Sequence, residues 1–523
     1  MKSTLATLVP GDQRRLWRVV LAAGTLLALA GSVGAGEAPR PWTLPELFHH
    51  IPPLKHDGQG RLPVICMEVF RLAADDRSFA AAKPLPADTI RELVRRGLTQ
   101  WIPAQTNYIP YAAALQANGA KVVLFEGNAF NGPPEEEVPG GAGLHQLPPD
   151  YKPEPGRPGQ QLRYSCPLLF QGWQRRADKL RATYRAFHDA GIHVDAAWYD
   201  WECEPYPGES QWREAQACSR CRATFPAGVL AEFARYREFI TRLRTEVYSA
   251  YLAAPILEVY PQCSVLNWEF VLSSAAHPTL RWSGAARVPP TGIGLFTAAN
   301  PVAYGNTAWY KLNWKPEWHW PLDVAHMDRL YTQVMLGQIS GNAENEPSLG
   351  PDKQCVPWVD RVCLDDPDPT IPLLSRARYR EILRHCWLRG ADAMQVFNPL
   401  GPANRVDRAE IVNAEIADAV AVADDVLAYR RLLEAGIVMN TAVPAATEDG
   451  PIWSGLRLGD EAVVRVFTQA AHPMPVILTP FPGGPTVTLQ APPAGATYRL
   501  RRHGAAGAPG IDAVLVATGD QPW

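Results

Sequence analysis

The chain has 523 residues, a formal net charge of −3 and 47% hydrophobic residues. That apolar content excludes a mostly disordered chain, and the absence of a basic surplus gives no reason to expect nucleic acid or an anionic membrane as partner. The length fits one α/β barrel, which takes roughly 250 residues or more, with a smaller domain beside it. Two counts stand out, 50 Pro and 17 Trp. The prolines imply long, stiff loops. The tryptophans are either core filling or flat platforms against which the C–H face of a sugar ring packs.

Arg14, Arg15 and Arg18 precede an apolar run from Val19 to about Ala35 that ends in small residues, Val33-Gly34-Ala35. A basic region, a short apolar region and small residues are the pattern of a cleaved export signal. The run falls short of the roughly 20 strongly apolar residues of a membrane span. Residues 1–36 are therefore expected to be a signal peptide, and the remainder to be secreted or periplasmic with no membrane attachment after cleavage.

From there, short apolar runs alternate with amphipathic stretches. Val64 to Val69 reads as a first buried strand, followed by a helix from Asp88 to Gln100 with apolar positions Ile90, Leu93, Val94 and Leu98. Trp101-Ile102-Pro103 begins a second strand and Tyr111 to Asn118 a helix. Lys121 to Glu126 is a third strand, Trp173 to Ala190 a helix, and His193 to Glu202 a fourth strand. Val229 to Tyr251 reads as a long helix and Ile256 to Tyr260 as a fifth strand. Ile293 to Ala298 is expected as the sixth strand, Asp323 to Leu336 as a helix, and Gly337 to Ala343 as the seventh strand. Tyr379 to Arg389 is a helix, Ala391 to Phe397 the eighth strand, and Ala409 to Ala435 a closing helix. Eight strand–helix units predict a (β/α)8 TIM barrel over residues 37–436. An open doubly wound sheet is the rival, but no glycine-rich phosphate loop follows the first strand. Beyond it, Leu456 to Leu458, Ala462 to Phe467, Pro475 to Leu478, Thr486 to Leu489 and Tyr498 to Arg501 are short β-like runs separated by Gly and Pro. They predict a small antiparallel β-sandwich over residues 437–523.

In parallel barrels the chemistry sits at the C-terminal ends of the strands. The fourth strand closes on Trp198-Tyr199-Asp200-Trp201-Glu202, with Tyr206 shortly after. Alternation puts Trp198, Asp200 and Glu202 on one face. Two carboxylates that close cannot both ionise easily, so one pKa should rise, leaving a proton-bearing acid beside a carboxylate. Cleavage of a glycosidic bond needs that combination. The bland alternative is a pair of acids held by arginine or capping the next helix. Trp198 is a candidate substrate-binding residue on this strand; Glu68, Glu126, Tyr260, Glu344, Asn345, Gln395 and Asn398 lie on or after other expected strand ends and are further candidates, and Asn342 and Glu346 belong to the same group. Glu344 or Glu346 would serve as nucleophile if two protein carboxylates act, about 5–5.5 Å apart. Trp268, Trp309, Trp314, Trp318 and Trp320 form an expected loop cluster suited to a sugar cleft.

Asp200-Trp201-Glu202 resembles the D-x-E motif of chitinases and hyaluronidases, retaining glycosidases that use the substrate's own acetamido group. The resemblance implies that Glu202 is the acid/base and that Asp200 orients the N-acetyl group. Tyr260-Pro261-Gln262-Cys263 is similar to a Tyr/Phe-Pro-x-Cys segment of hyaluronidases. The chain departs from both families. Hyaluronidases continue with Trp-Arg-Pro where this chain reads Cys203-Glu204-Pro205, and chitinases carry a further Asp where this chain has Trp198. The likeness covers about a dozen residues.

Nine cysteines are present, at 66, 166, 203, 218, 221, 263, 355, 363 and 386. Export permits disulfides. Cys355 and Cys363 flank a loop they could bridge. Cys218-Ser-Arg-Cys221 is expected to form a local disulfide in preference to a zinc knuckle, since no second C-x-x-C or H-x₃-H accompanies it. The leading expectation is an exported glycoside hydrolase acting on a poly- or oligosaccharide, retaining rather than inverting, with no cofactor and no metal. The alternatives are a carbohydrate-binding barrel without catalysis, and a metal-dependent hydrolase built on Asp200, Glu202 and a distant histidine.

Overall fold

A computed structural model describes residues 44–66 except 59, 83–128, 145–152, 166, 168, 170–200, 209–269, 298–305, 321–349, 354–361, 372–397, 408–504 and 510–521. The expected export signal lies outside the described residues. Among them no helix is long and apolar enough to cross a membrane.

Among the described residues of the first 400 are ten short strands: β1 Val64–Cys66, β2 Leu98–Thr99, β3 Trp101–Pro103, β4 Val123–Asn128, β5 Ala196–Asp200, β6 Ser264–Glu269, β7 Ala298–Tyr304, β8 Gln354–Cys355, β9 Trp358–Asp360 and β10 Gln395–Val396. Their lateral order is β2-β1-β10-β9-β7-β6-β5-β4-β3, with β8 also on β7. Every pairing is parallel. Parallel strands need crossover connections, and helices supply them. Helices Leu44–His50, Val324–Leu349, Arg376–Trp387 and Arg408–Leu427 cover Val64, Cys66, Ala303, Val359 and Val396. Helices Ile109–Ala117 and Phe170–Asp189, with the turn Ser249–Ala253, cover the β3–β6 side.

The sheet curls. Trp198 on β5 meets Trp358 on β9 with ring centroids 4.7 Å apart. These strands are three steps apart in the lateral order, which in a flat sheet would separate them by about 14 Å. Trp101 and Phe125 join Trp198 from the neighbouring strands at 5.7 and 4.4 Å, and Phe397 and Tyr304 close on Trp358 from the far side at 5.3 and 6.5 Å. The concave side is therefore filled with aromatic rings. Truncating a buried tryptophan of this kind typically costs about 3–5 kcal/mol.

Two expected strands differ, and a third lies mostly outside the described residues. Ile256 to Tyr260 is the end of helix Ala254–Leu257 and a turn; the strand is β6, beginning at Ser264. Of Ile293 to Ala298 only Ala298 lies among the described residues, and it begins β7, Ala298–Tyr304. Gly337 to Ala343 belongs to the 26-residue helix Val324–Leu349, whose buried Met327, Leu330, Tyr331, Val334, Met335 and Ile339 keep helical spacing. The position expected of a seventh strand is taken by β9.

The C-terminal part follows the expected alternation. Strands β11 Ile437–Val438, β12 Pro451–Leu458, β13 Glu461–Thr468, β16 Ala496–His503 and β17 Gly510–Thr518 form an antiparallel sheet, and β14 Met474–Leu478 pairs with β15 Val487–Ala491. Ala462, Val464, Val466 and Leu500 of the larger sheet pack on Val476, Leu478 and Leu489 of the smaller. The sheet is bound to the first part by a buried polar network. Arg465 of β13 donates to both carboxylate oxygens of Glu381 at 2.9 and 2.6 Å. His385 meets Glu381 at 3.2 Å and Ser454 at 2.7 Å. Arg389 donates to Ser454 at 2.7 Å and to the carbonyls of Thr441 and Ala442 at 2.7 and 3.0 Å.

Candidate functional site

The C-terminal ends of the parallel strands are where a barrel holds its chemistry. Three strands end on a carboxylate: β5 on Asp200, β6 on Glu269 and β9 on Asp360. Register separates them. Trp198 pairs with Leu266 and Tyr199 with Asn267, so Glu269 has the parity of Tyr199. The phenol of Tyr199 donates to the Leu252 carbonyl at 3.1 Å in the outer helical layer. Asp200 has the parity of Trp198, on the aromatic side. Asp360, paired with Tyr304 and two residues past Trp358, has that parity as well. Asp360 is fully buried, and its carboxylate accepts from the Gly305 backbone N–H at 2.7 Å.

Beneath this layer lies a polar thread. Trp358 Nε1 donates to Asn300 Oδ1, and Asn300 Nδ2 donates to the Val356 carbonyl. Asn300 Nδ2 also reaches Gln395 Oε1 at 3.4 Å. Gln395 therefore sits in the buried interior, in register with Trp358 rather than at the mouth.

The structure separates several other expected site residues from the strand ends. Glu126 faces the helix Phe170–Asp189, beside Tyr184, Arg176 and Lys179, on the opposite face of β4 from Phe125. Burial pushes its carboxyl up to about 7, against the pull of Tyr184 and the two cations. Tyr260 lies before β6, at the N-terminal end. Its hydroxyl donates to the Ile192 carbonyl at 2.8 Å, and it lines a surface groove with His188, His193 and Pro261. Glu344 and Asn345 fall within helix Val324–Leu349, with Glu344 near the buried Arg389 guanidinium. Trp198 is buried among rings, so it is core rather than an open platform. Glu202, Glu68, Asn398, Trp309, Trp314, Trp318 and Trp320 lie outside the described residues, and for Asp200 only the backbone is described.

Sequence reasoning missed Asp360. The signal available was Val-Pro-Trp-Val-Asp, a short apolar run ending in an acid, read as loop because a seventh strand was placed earlier.

One further set is built for a different purpose. His145, Cys166, Cys218 and Cys221 are all buried, with their ligand atoms within 4.8 Å of one another. Among the described residues this is the one such group of His, Cys, Asp and Glu. The expected Cys218–Cys221 disulfide is not formed: Cys166, Cys218 and Cys221 are free thiols. Cys363, the other half of the second expected bridge, lies outside the described residues.

No protein-family model matches the chain, and no curated protein matches it. Similar solved structures include an alpha-amylase from Geobacillus thermoleovorans, at 10% identity and a TM-score of 0.46 over 86% of this chain and 99% of that one. An alpha-amylase from Anoxybacillus has 10% identity and a TM-score of 0.44 over 89% and 100%. An alpha-galactosidase from Geobacillus stearothermophilus has 9% identity and a TM-score of 0.40 over 82% of this chain and 51% of its own, so this chain spans about half the length of that galactosidase chain.

Proposed function

We propose that the chain is a glycoside hydrolase whose strands close into a (β/α)8 barrel, with its catalytic carboxylates at the C-terminal mouth. The two edges of the sheet order support the reading of a closed barrel. β2 and β3 are separated by Gln100 alone, so a single strand pairs with β1 through its first residues and with β4 through its last. Counting β2 with β3, and β8 with β9, gives eight strands.

The observation that carries the function is the contact between Trp198 and Trp358 across the interior. Asp200 and Asp360 each lie two residues further along the same strands, with the same parity, so this contact brings the two strand ends toward one layer. Glu202 follows two residues beyond Asp200. Carboxylates gathered above a dry aromatic floor split their pKa values, leaving one protonated as acid and another ionised. Glu202 is assigned as acid/base and Asp200 as the assisting carboxylate. Asp360 takes the place of Glu344 as the carboxylate contributed from a separate strand. A retaining outcome is expected, by the substrate's acetamido group if the D-x-E likeness to hyaluronidases and chitinases extends to mechanism, or by a protein carboxylate otherwise. The signal in residues 1–36 would deliver such an enzyme to the periplasm or the exterior, where its carbohydrate substrate would be met.

The test is hydrolysis of a glycan panel, including chitin oligomers and hyaluronan, by the wild type and Glu202→Gln. Cleavage that falls roughly 10²–10⁴-fold in the variant supports the assignment. Undiminished cleavage removes Glu202 from the site. Binding of a glycan with no cleavage by the wild type would favour a non-catalytic carbohydrate-binding barrel.

A further inference from the structure

We propose that His145, Cys166, Cys218 and Cys221 bind one Zn²⁺ in a closed, structural Cys₃His site. The four residues come from two excursions. His145 and Cys166 follow β4, and the Cys218-Ser-Arg-Cys221 turn follows β5. Tetrahedral zinc with Zn–S about 2.3 Å and Zn–N about 2.0–2.1 Å places its ligand atoms about 3.8 Å apart for two sulfurs and about 3.5 Å for sulfur and nitrogen. Cys166 Sγ and Cys221 Sγ are 3.9 Å apart, and Cys221 Sγ and His145 Nδ1 are 3.5 Å apart. A disulfide would need the sulfurs at about 2.05 Å. An iron–sulfur cluster would need room between the ligands that a spread of 4.8 Å does not leave.

The surroundings fit a metal thiolate. The Gln146 backbone N–H donates to Cys218 Sγ at 3.2 Å, a bond that favours the ionised sulfur a metal requires. The segment is zipped alongside: Ser219 N–H donates to the Gln146 carbonyl at 3.1 Å and Ser219 Oγ to Gln146 Oε1 at 2.9 Å. Ala215, Phe225, Tyr236 and Ile240 pack around the cysteines in a small apolar cluster of their own. Such a cluster is too small to hold two long excursions on apolar burial alone, and a metal crosslink stabilises what the core does not. Four protein ligands, all buried, leave no open position for water or substrate, so the ion has no catalytic role. It fixes the excursion that begins with Trp201 and Glu202 to the excursion before helix Phe170–Asp189.

The full chain is purified without chelator from zinc-containing medium, and its metal is measured by elemental mass spectrometry. One zinc per chain is expected, together with three thiols that become reactive only after a strong chelator. Replacement by Co²⁺ should give the absorption of a tetrahedral cobalt thiolate. Cys221→Ser should lower zinc to well under half an equivalent, and His145→Cys, which preserves a four-ligand set, should retain it, so that the loss follows the ligand removed and not a disturbance of the fold. Metal-free wild type, a disulfide among Cys166, Cys218 and Cys221 in the unreduced protein, or undiminished zinc in Cys221→Ser would each overturn the site.

Discussion

Two regions of the helical shell are fastened by opposite chemistries. Over β4 and β5 the fastening is soft: three thiols and an imidazole around a gap of metal size, with a thin apolar cluster behind them. Over β9 and β10 it is hard: helix Arg376–Trp387 is tied to the C-terminal sheet by Glu381, His385 and Arg465, all buried, with Arg389 just beyond the helix. A metal site is made or lost by one ion, so its region has a removable fastening. The ion-pair network has no removable part. Its desolvation is balanced only while every partner stays in place. The excursions after β4 and β5 thus rest on the first kind of fastening and the accessory sheet on the second.

The contrast can be broken most forcefully from the metal side. A strong chelator should loosen residues 145–152 and 209–230 while leaving helix Arg376–Trp387 protected, because structural zinc carries an apparent binding free energy of about 10–16 kcal/mol at neutral pH. Hydrogen exchange with mass spectrometry would resolve the two regions. Equal loosening of both would show that they do not differ.

Next in size is Glu381→Ala, which leaves Arg465 buried without its carboxylate. Chemical denaturation should show a loss of about 3–5 kcal/mol. A double change, Glu381→Leu with Arg465→Met, should recover much of it, since the penalty belongs to the orphaned charge.

Acid should act on the hard region. Burial pushes the His385 imidazole down to about 4, against the pull of Glu381. The unfolded chain therefore takes up a proton that the folded chain refuses as pH falls from about 6.5 toward 4, and stability falls by up to about 1.4 kcal/mol per pH unit over that window. Glu381 acts in the same direction. Burial opposes its ionisation, but Arg465 and His385 overcome that and hold its carboxyl well below the usual range. Urea midpoints taken across this window should slope less in His385→Gln.

The smallest effect has the opposite sign. Glu126 is held up to about 7, so its contribution is present in acid and lost as pH rises from about 4.5 through 7. It is only partly buried as a residue, and Arg176 and Lys179 lie near, which limits the size. Glu126→Gln should remove this decline between about pH 4.5 and 7 and so steepen the acid loss due to His385, which Glu126 opposes where the two windows overlap.

Legibility in the sequence followed the length and isolation of each signal. Lys121 to Glu126 and His193 to Glu202 are apolar runs bounded by glycine and turn residues, and β4 and β5 lie within a few residues of them. The C-terminal strands were legible because Gly and Pro punctuate them. The three-residue β9 has no period to detect, and Asp360 went with it. Helix Val324–Leu349 hid its nature because both its faces are largely buried, and the glycines at 337 and 341 looked like strand boundaries. The Cys218/Cys221 pair was visible, but His145 and Cys166 lie 73 and 52 residues before Cys218, and only the fold brings them to it.

The central claim is that Glu202 delivers a proton to a departing sugar oxygen, and leaving-group dependence tests it most directly. Wild type and Glu202→Gln are compared on the best natural glycan and on an aryl glycoside of the same sugar whose phenolate departs without protonation. The account predicts a loss of roughly 10²–10⁴-fold on the glycan and a far smaller loss on the aryl glycoside. Equal losses on the two substrates, or none on the glycan, would contradict it.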